Sequence, residues 1–317
     1  MYQSKSVCVV VPAFNEEGRI EDVVRTMPEY VDRIVVVDDA SRDRTAEIVT
    51  SLAGETGSRL AFLRHEQNRG VGAAIVTGYK WARDNGMDVA VVMAGDGQMD
   101  PADLPAILEP VTSGAVDYAK GNRLFTGDAW KKIPKARYIG NAVLSLLTKI
   151  ASGYWHVADS QTGYTAINRR MLKLINWDQT YGRYGCPNDY LVRLNLYSAK
   201  VKDVPITPVY HVGGRSGIRY WKVIPLLSWL LWKLFVWRLV QKYVIRDFHP
   251  LVFFYLFGFT SALVSLGLLG RLIALWVAQG YAPQMTALAF GFFVVISIHF
   301  TTFAMWLDME ANKDLKG

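Results

Sequence analysis

Only two cysteines occur in the 317 residues, Cys8 within an apolar run and Cys186 beside Pro187. That scarcity excludes a disulfide framework and a cysteine metal knuckle, so the soluble part of the chain reads as cytosolic. Nothing at the amino terminus resembles a secretory leader, because residues 1–5 are polar and the first apolar run, 7–11, stops at Pro12. No Walker pattern is present, and no G-x-G-x-x-G follows the first apolar run. A P-loop NTPase and a nicotinamide enzyme both lose their usual phosphate cradle. Asp, Glu, Lys and Arg are absent from two long stretches, 251–270 (LVFFYLFGFTSALVSLGLLG) and 285–307 (MTALAFGFFVVISIHFTTFAMWL). Each meets the ~20 residues needed to cross a hydrocarbon core.

What is present divides near residue 220. Up to about residue 199, β-branched runs (VCVVVP, RIVVVDD, RLAFL, DVAVVMAGD, DYAKGN) alternate with amphipathic stretches (EGRIEDVVRTM, RDRTAEIVTSL, GVGAAIVTGYKWA). Alternation of this kind implies an α/β fold, with a mostly parallel sheet and crossover helices on its faces. Beyond it, the segment 220–247 mixes Trp229, Trp232 and Trp237 with Arg238, Lys242 and Arg246 at four-residue spacing. Basic residues among tryptophans describe an interfacial helix at headgroup level, or else a helix packed on the sheet. Basic residues flank the outer ends of the two uncharged runs, the loop 276–284 between them has none, and Arg271 at the far end of the first span can snorkel outward, which predicts both termini in the cytoplasm. The expected layout is a catalytic domain over 1–218, juxtamembrane helices over 219–248, a two-helix transmembrane anchor over 249–310 and a cytoplasmic tail over 311–317. Lys plus Arg exceed Asp plus Glu by 35 − 28 = 7, and 51% of residues are hydrophobic. Anionic partners and membrane lipids are expected from this balance, and nucleic acid is not; a homo-oligomer is left open.

The polar clusters sit where the apolar runs stop. PAFNE follows the first run, DDASRDRT the second and GDGQMDP the fourth. Consecutive carboxyl ends of a parallel sheet converge on one crevice, which is where ligands bind in open α/β sheets. Ser41 or Asp43 is placed to cap the helix that follows Asp38 and Asp39. The glycines of NRGVGAAIVTGY, Gly70, Gly72 and Gly78, read equally well as close helix packing. With no glycine cradle, carboxylates and a divalent ion are left to hold phosphates.

Taken in order, PAFNEE, DDASRDRT, NRGVGAA, GDGQMDP, GNR and DSQTGYTAI resemble the family 2 glycosyltransferases of the GT-A fold. They look most like the polyprenyl- and dolichyl-phosphate hexose synthases with two carboxy-terminal transmembrane helices. The resemblance covers residues 7–216. It implies transfer of a hexose from a nucleotide diphosphate sugar to a polyprenyl phosphate on the cytoplasmic leaflet, with inversion at the anomeric carbon. By position it assigns Pro12, Ala13, Phe14, Asn15, Glu16, Asp38, Asp39, Ser41, Asp96 and Gly97 to the donor. Asp96 and Gln98 would hold Mg²⁺ or Mn²⁺, and Arg123 and Asp159 would stand near the reacting centre. Arg137 and Asn141, with Arg215, Ser216 and Arg219, would hold the acceptor phosphate.

Two departures from the family pattern stand out. Ala94 occupies the place of the usual first carboxylate of D-x-D, and HVGGRSG replaces R-x-x-G-x-S-K, so that His211 and Gly217 stand where two cations are expected. A processive polysaccharide synthase is the alternative enzyme, but GIRYW lacks the glutamine of Q-x-x-R-W and only two spans follow. A catalytically silent nucleotide-sugar-binding module is the alternative from another class, favoured by Ala94.

Overall fold

The computed structural model describes residues 1–124, 135–207 and 220–317. They form two compact units, 1–235 with 314–317, and 236–313.

In the first unit, seven strands make one sheet: β1 (Val7–Ala13), β2 (Arg33–Asp38), β3 (Leu60–Arg64), β4 (Val89–Val92), β5 (Tyr118–Asn122), β6 (Thr165–Asn168) and β7 (Val201–Pro205). Their order is β3-β2-β1-β4-β6-β5-β7. Strand β6 runs antiparallel between β4 and β5, while the other pairings are parallel. The helices are α1 (Ile20–Arg25), α2 (Thr45–Thr56), α3 (Val71–Asp84), α4 (Leu104–Thr112), α5 (Lys135–Ser152), α6 (Arg169–Leu174), α7 (Cys186–Leu196) and α8 (Tyr220–Val240).

The continuous apolar runs of the central strands follow from burial on both faces. Along β1, Val7, Val9 and Val11 enter one core with Ile20 and Val23 of α1, Val49 of α2 and Ile107 of α4. Cys8 and Val10 enter the other, with Ala74 and Tyr79 of α3, Met171 of α6 and Leu191 of α7. This is the two-residue period of a strand, read out as two separate cores. Helix α3 lies very close to β1, since a Cβ on Gly78 would stand 2.2 Å from Val10 Cγ1. Glycine is required there by contact. The chain leaves β1 toward β2 and β3 on one side, then returns from β3 to β4 on the other, so the carboxyl ends of β1 and β4 open a crevice between them.

Helix α8 buries Leu227, Leu231 and Leu234 on one face and exposes Trp229 and Trp232 on another. At the end of the chain Leu315 is buried, and Gly317 donates its N–H to the Val201 carbonyl of β7.

The second unit is a hairpin of α9 (Leu251–Gln279) and α10 (Gln284–Ala311), turning at Gly280, whose φ is 76°. Both helices are long and apolar enough to cross a membrane. The backbones approach closely at Gly258, where an added Cβ would stand 2.4 Å from Thr301 Oγ1, and Ser297 Oγ donates to the Gly258 carbonyl. Small residues at a helix crossing permit this contact. Val277 is 83% exposed, Met285 77% and Leu288 69%, a lipid-type surface with no counterpart in the first unit's cores.

Helix α8 continues as a single wider-turned segment, Gln241–Arg246. Of the basic residues expected at headgroup level, Arg238 is not there. Its side chain is fully buried and forms a two-pronged ion pair with Asp308, at 2.9 Å and 2.8 Å. A guanidinium removed from water needs a carboxylate, and α10 supplies one just past its uncharged run.

Candidate active site

The crevice is a cavity of about 260 Å³ lined by residues from three strand ends and the start of α3. Pro12, Ala13, Phe14 and Glu16 come from β1 and its loop, and Asp39 from beyond β2. Ala94, Gly95 and Asp96 come from beyond β4, and Asn68, Gly70, Val71 and Ala74 from the entry to α3. The N-terminal turn of a 14-residue helix thus borders the cavity, presenting the positive end of its dipole to an anion.

Hydrogen bonds between loops hold the walls. Asn15 takes a left-handed conformation, φ 57°, which asparagine tolerates. Its N–H donates to Ser41 Oγ at 2.9 Å, and its Oδ1 accepts from the Arg42 N–H at 2.9 Å. Glu16 donates its N–H to Thr45 Oγ1 at 2.8 Å. Asn15 and Ser41 therefore brace the β1 loop against the β2 loop and do not line the cavity. Asp43, and not Ser41, meets the amide at the start of α2, with Thr45 N–H at 3.0 Å.

Asp38 is fully buried; its Oδ1 accepts the Ser41 N–H at 3.1 Å, and Arg64 Nε stands 3.1 Å from its Oδ2. Asp39 does reach the cavity, but its carboxylate is engaged by the protein. Oδ1 accepts the Arg69 N–H at 2.8 Å and lies 2.7 Å from His65 Nδ1, while Oδ2 accepts the Gly70 N–H at 2.7 Å. Asp39 thereby caps the entry to α3 from a different loop.

The stretch GDGQMDP shows why so much polarity follows a buried strand. Met93 still donates its N–H to the Val10 carbonyl and Gly95 to the Pro12 carbonyl, so pairing persists to the rim. There the chain turns: Asp96 Oδ1 accepts the Gln98 N–H at 3.0 Å across Gly97, whose φ is 67°. Asp100 Oδ1 accepts the Ala102 N–H at 2.8 Å, capping the next short helix. Of this stretch Gly95 and Asp96 line the cavity; Gly97 and Gln98 do not.

Among the described residues no three His, Cys, Asp or Glu side chains gather as a closed metal cage. Besides Asp39, whose carboxylate is engaged, Glu16 and Asp96 nevertheless line one cavity. Burial raises the pKa of Glu16, and the neighbouring Asp96 raises it further. Repulsion of that kind is relieved by a cation, and Mg²⁺ or Mn²⁺ sharing one or two carboxylates with substrate phosphates fits such an open donor set.

Past the cavity, Arg123 and Asp159 meet directly. Arg123 Nε donates to Asp159 Oδ2 at 2.8 Å and Nη2 to Oδ1 at 3.1 Å. Burial pushes the Asp159 carboxyl up, but the Arg123 guanidinium and then Lys120 outweigh it and hold it below the usual carboxylate range. Lys120 is itself fully buried and donates to the Thr162 carbonyl; burial lowers its pKa to about 8 against the pull of Asp159 and Asp203. Arg137 and Asn141 fall on α5 four residues apart, on one side of that helix. Their side chains, and Arg215, Ser216 and Arg219, lie outside the described residues.

Sequence reading missed Asn68, Gly70, Val71 and Ala74 as cavity residues. The signal was in Gly70: its φ is 96°, and an added Cβ would stand 2.6 Å from the Gly182 carbonyl oxygen. Gly72 and Gly78 follow the packing reading, with added Cβ atoms 2.7 Å from Cys186 Cβ and 2.2 Å from Val10 Cγ1.

The sequence model of the family described as "Glycosyl transferase family 2" matches residues 8–175, more than half of the chain. The chain belongs to that family. Among its relatives is the UDP-N-acetylglucosamine–dolichyl-phosphate N-acetylglucosaminyltransferase of Methanococcus voltae, 32% identical over 218 residues, 65% of this chain and 86% of that one. Another is the undecaprenyl-phosphate mannosyltransferase of Micrococcus luteus, 31% identical over 218 residues, 66% of this chain and 86% of that one. Among solved structures, glucosyl-3-phosphoglycerate synthase from Mycobacterium tuberculosis, in complex with Mn²⁺, UDP and glucosyl-3-phosphoglycerate, superposes with a TM-score of 0.50 at 17% identity. It covers 74% of this chain and 80% of that one. The fold is accordingly that of a GT-A glycosyltransferase.

Proposed function

We propose that this family 2 glycosyltransferase moves a hexose from a UDP- or GDP-linked donor to a polyprenyl phosphate at the cytoplasmic face of a membrane, with Mg²⁺ or Mn²⁺ as cofactor. The observation that carries the reading is the cavity at the β1/β4 divide, where Glu16 and Asp96 face the positive end of α3. A nucleotide diphosphate complements such a site, its phosphates set between a helix N-terminus and a carboxylate-held cation. The relatives named above act on dolichyl and undecaprenyl phosphates, which supports a polyprenyl phosphate as acceptor.

In this reading Pro12, Ala13, Phe14 and Asn68 border the nucleoside, and Asn15, Asp38, Asp39, Ser41 and Gly97 shape the loops around it. Asp96, with Gln98 beside it, holds the ion. When bound, the ion neutralises charge on the departing diphosphate. The acceptor phosphate is already ionised near neutral pH, so its oxygen can attack the anomeric carbon without a strong base while the bond to the nucleotide breaks. Asp159, kept ionised by Arg123, orients charge near that centre and takes no proton. Arg137, Asn141, Arg215, Ser216 and Arg219 grip the acceptor phosphate. The hairpin spans the bilayer, the exposed tryptophans of α8 lie at headgroup level, and both termini face the cytoplasm.

The test is product formation by the full-length protein in mild detergent, with a panel of labelled UDP- and GDP-sugars and a short polyprenyl phosphate. A labelled lipid-linked monosaccharide is expected. Labelled polymer would assign a processive synthase, and donor binding without turnover a silent module.

A further inference from the structure

Behind the cavity wall stands a buried histidine. His65 begins the loop from β3 to α3; it is 9% exposed and is not among the cavity-lining residues. Its N–H donates to the Asp38 carbonyl at 2.9 Å. Its ring bridges two elements, with Nδ1 2.7 Å from Asp39 Oδ1 and Nε2 2.9 Å from Thr77 Oγ1. Thr77 is in turn bonded to the Ala73 carbonyl one helical turn back, at 3.0 Å. Nδ1 faces a carboxylate and so carries a proton, while Nε2 faces a hydroxyl whose own proton goes to the Ala73 carbonyl.

We infer that His65 is a positioning residue for the donor, acting through Asp39 on the Arg69–Gly70 turn that walls the cavity; the inference rests on the donor reading above. Asp39 has to hold the amides of Arg69 and Gly70 on different oxygens at once, 2.8 Å and 2.7 Å away. A carboxylate turns about its own side-chain bonds unless a further donor fixes its plane. His65 Nδ1 is that donor. The position of the turn is tightly set, because Gly70 sits at φ 96° and an added Cβ would stand 2.6 Å from the Gly182 carbonyl oxygen. Asn68 is drawn into the same clamp, its Nδ2 donating to the Asp39 carbonyl at 3.3 Å. Asn68 and Gly70 both line the cavity, so a displaced carboxylate moves the surface that a donor meets. Nothing in this chain of contacts reaches the reacting bond. The effect therefore falls on donor affinity and not on the chemical step.

Two conservative variants separate this role from plain packing, because each keeps one half of the ring's bonding. Asparagine places an amide N–H where Nδ1 was, toward Asp39; glutamine reaches the position of Nε2, toward Thr77. In the full-length protein in detergent, donor KM and kcat are measured for the wild type, His65→Asn and His65→Gln. The donor is the UDP- or GDP-sugar that the wild type uses, and melting temperatures are recorded alongside. His65→Gln is expected to raise donor KM about tenfold, the scale of one lost charge-assisted hydrogen bond, with kcat within about twofold. His65→Asn should stay within about threefold of the wild-type KM, since its bond to the carboxylate is kept. Equal KM values in the two variants, or kcat falling at constant KM, would overturn the positioning role, as would loss of folded protein in both. A wild type that turns over no nucleotide sugar would instead remove the donor reading itself, and the inference with it.

Discussion

Replacing one member of the Arg238–Asp308 pair should be far more damaging than replacing both. Both side chains are fully buried, and Asp308 accepts four hydrogen bonds: Arg238 Nη1 at 2.9 Å, Arg238 Nη2 at 2.8 Å, the Tyr243 hydroxyl at 2.8 Å and Asn312 Nδ2 at 3.0 Å. Asp308→Leu deprives a buried guanidinium of its carboxylate, and Arg238→Met leaves a buried carboxylate with neutral donors for its nearest partners. Each single change should cost about 3–5 kcal/mol. In the double variant no buried charge of the pair remains, and an apolar pair of similar volume is often as stable as the ions it replaces. Tyr243 loses its acceptor, but Asn312 still donates to the Tyr243 oxygen at 2.8 Å and to the Asp308 carbonyl, so one hydroxyl proton is the residual deficit. That deficit is about 1–3 kcal/mol. The double variant should thus lie between the wild type and either single variant. Denaturant unfolding of the full-length protein in mild detergent reads this order directly. Single variants within about 1 kcal/mol of the wild type, or a double variant as unstable as the two losses summed, would refute the reasoning from buried charge.

Other expectations follow from packing and charge. Gly78→Ala pushes a methyl to 2.2 Å from Val10 Cγ1 and should cost at least about 1–3 kcal/mol, whereas Gly54→Ala, with nothing within 4 Å, should stabilise α2 by about 0.5–1 kcal/mol; thermal melts compare the two. The Asp159 carboxyl is depressed in the folded state, so its contribution is present above the unfolded carboxylate value of ~3.9 and lost as pH falls through the lower folded value. Arg123→Met leaves burial to dominate and raises that carboxyl instead, so the variant's deficit in melting temperature should shrink between pH 7 and pH 5; a constant deficit would show that the pair does not set the ionisation. Arg137→Ala and Arg215→Ala should each lower transfer to a polyprenyl phosphate by about tenfold or more while sparing donor affinity. Acceptor kinetics in detergent, free of anionic bilayer, check this.

Much of the β1/β4 cavity was legible because strands and polarity carry local signals. The runs VCVVVP and RIVVVDD could only be buried on both faces, and the polar residues that end them had to gather at one edge of a parallel sheet. Less legible were the long-range partnerships. Asp39 reads as a ligand contact in sequence, yet its oxygens close the entry to α3, thirty residues on, a pairing that no local pattern encodes. Arg238 reads as a headgroup cation because its carboxylate lies 70 residues away, beyond the second uncharged run. Strand β6 is four residues long and antiparallel, and TAIN alone does not reveal its direction. Gly70 and Gly78 look alike in NRGVGAAIVTGY, and only the left-handed φ of the first and the valine beneath the second separate a turn from a packing contact.

The central claim is that sugar transfer occurs at the β1/β4 cavity with Asp96 holding the cation. It is tested most directly by following label from a nucleotide sugar into polyprenyl-phosphate lipid with wild type and Asp96→Ala side by side, each with Mn²⁺ and with excess chelator. The account expects labelled lipid only from the wild type with metal. Comparable labelling by the wild type in chelator, or by a folded Asp96→Ala enzyme, would contradict it.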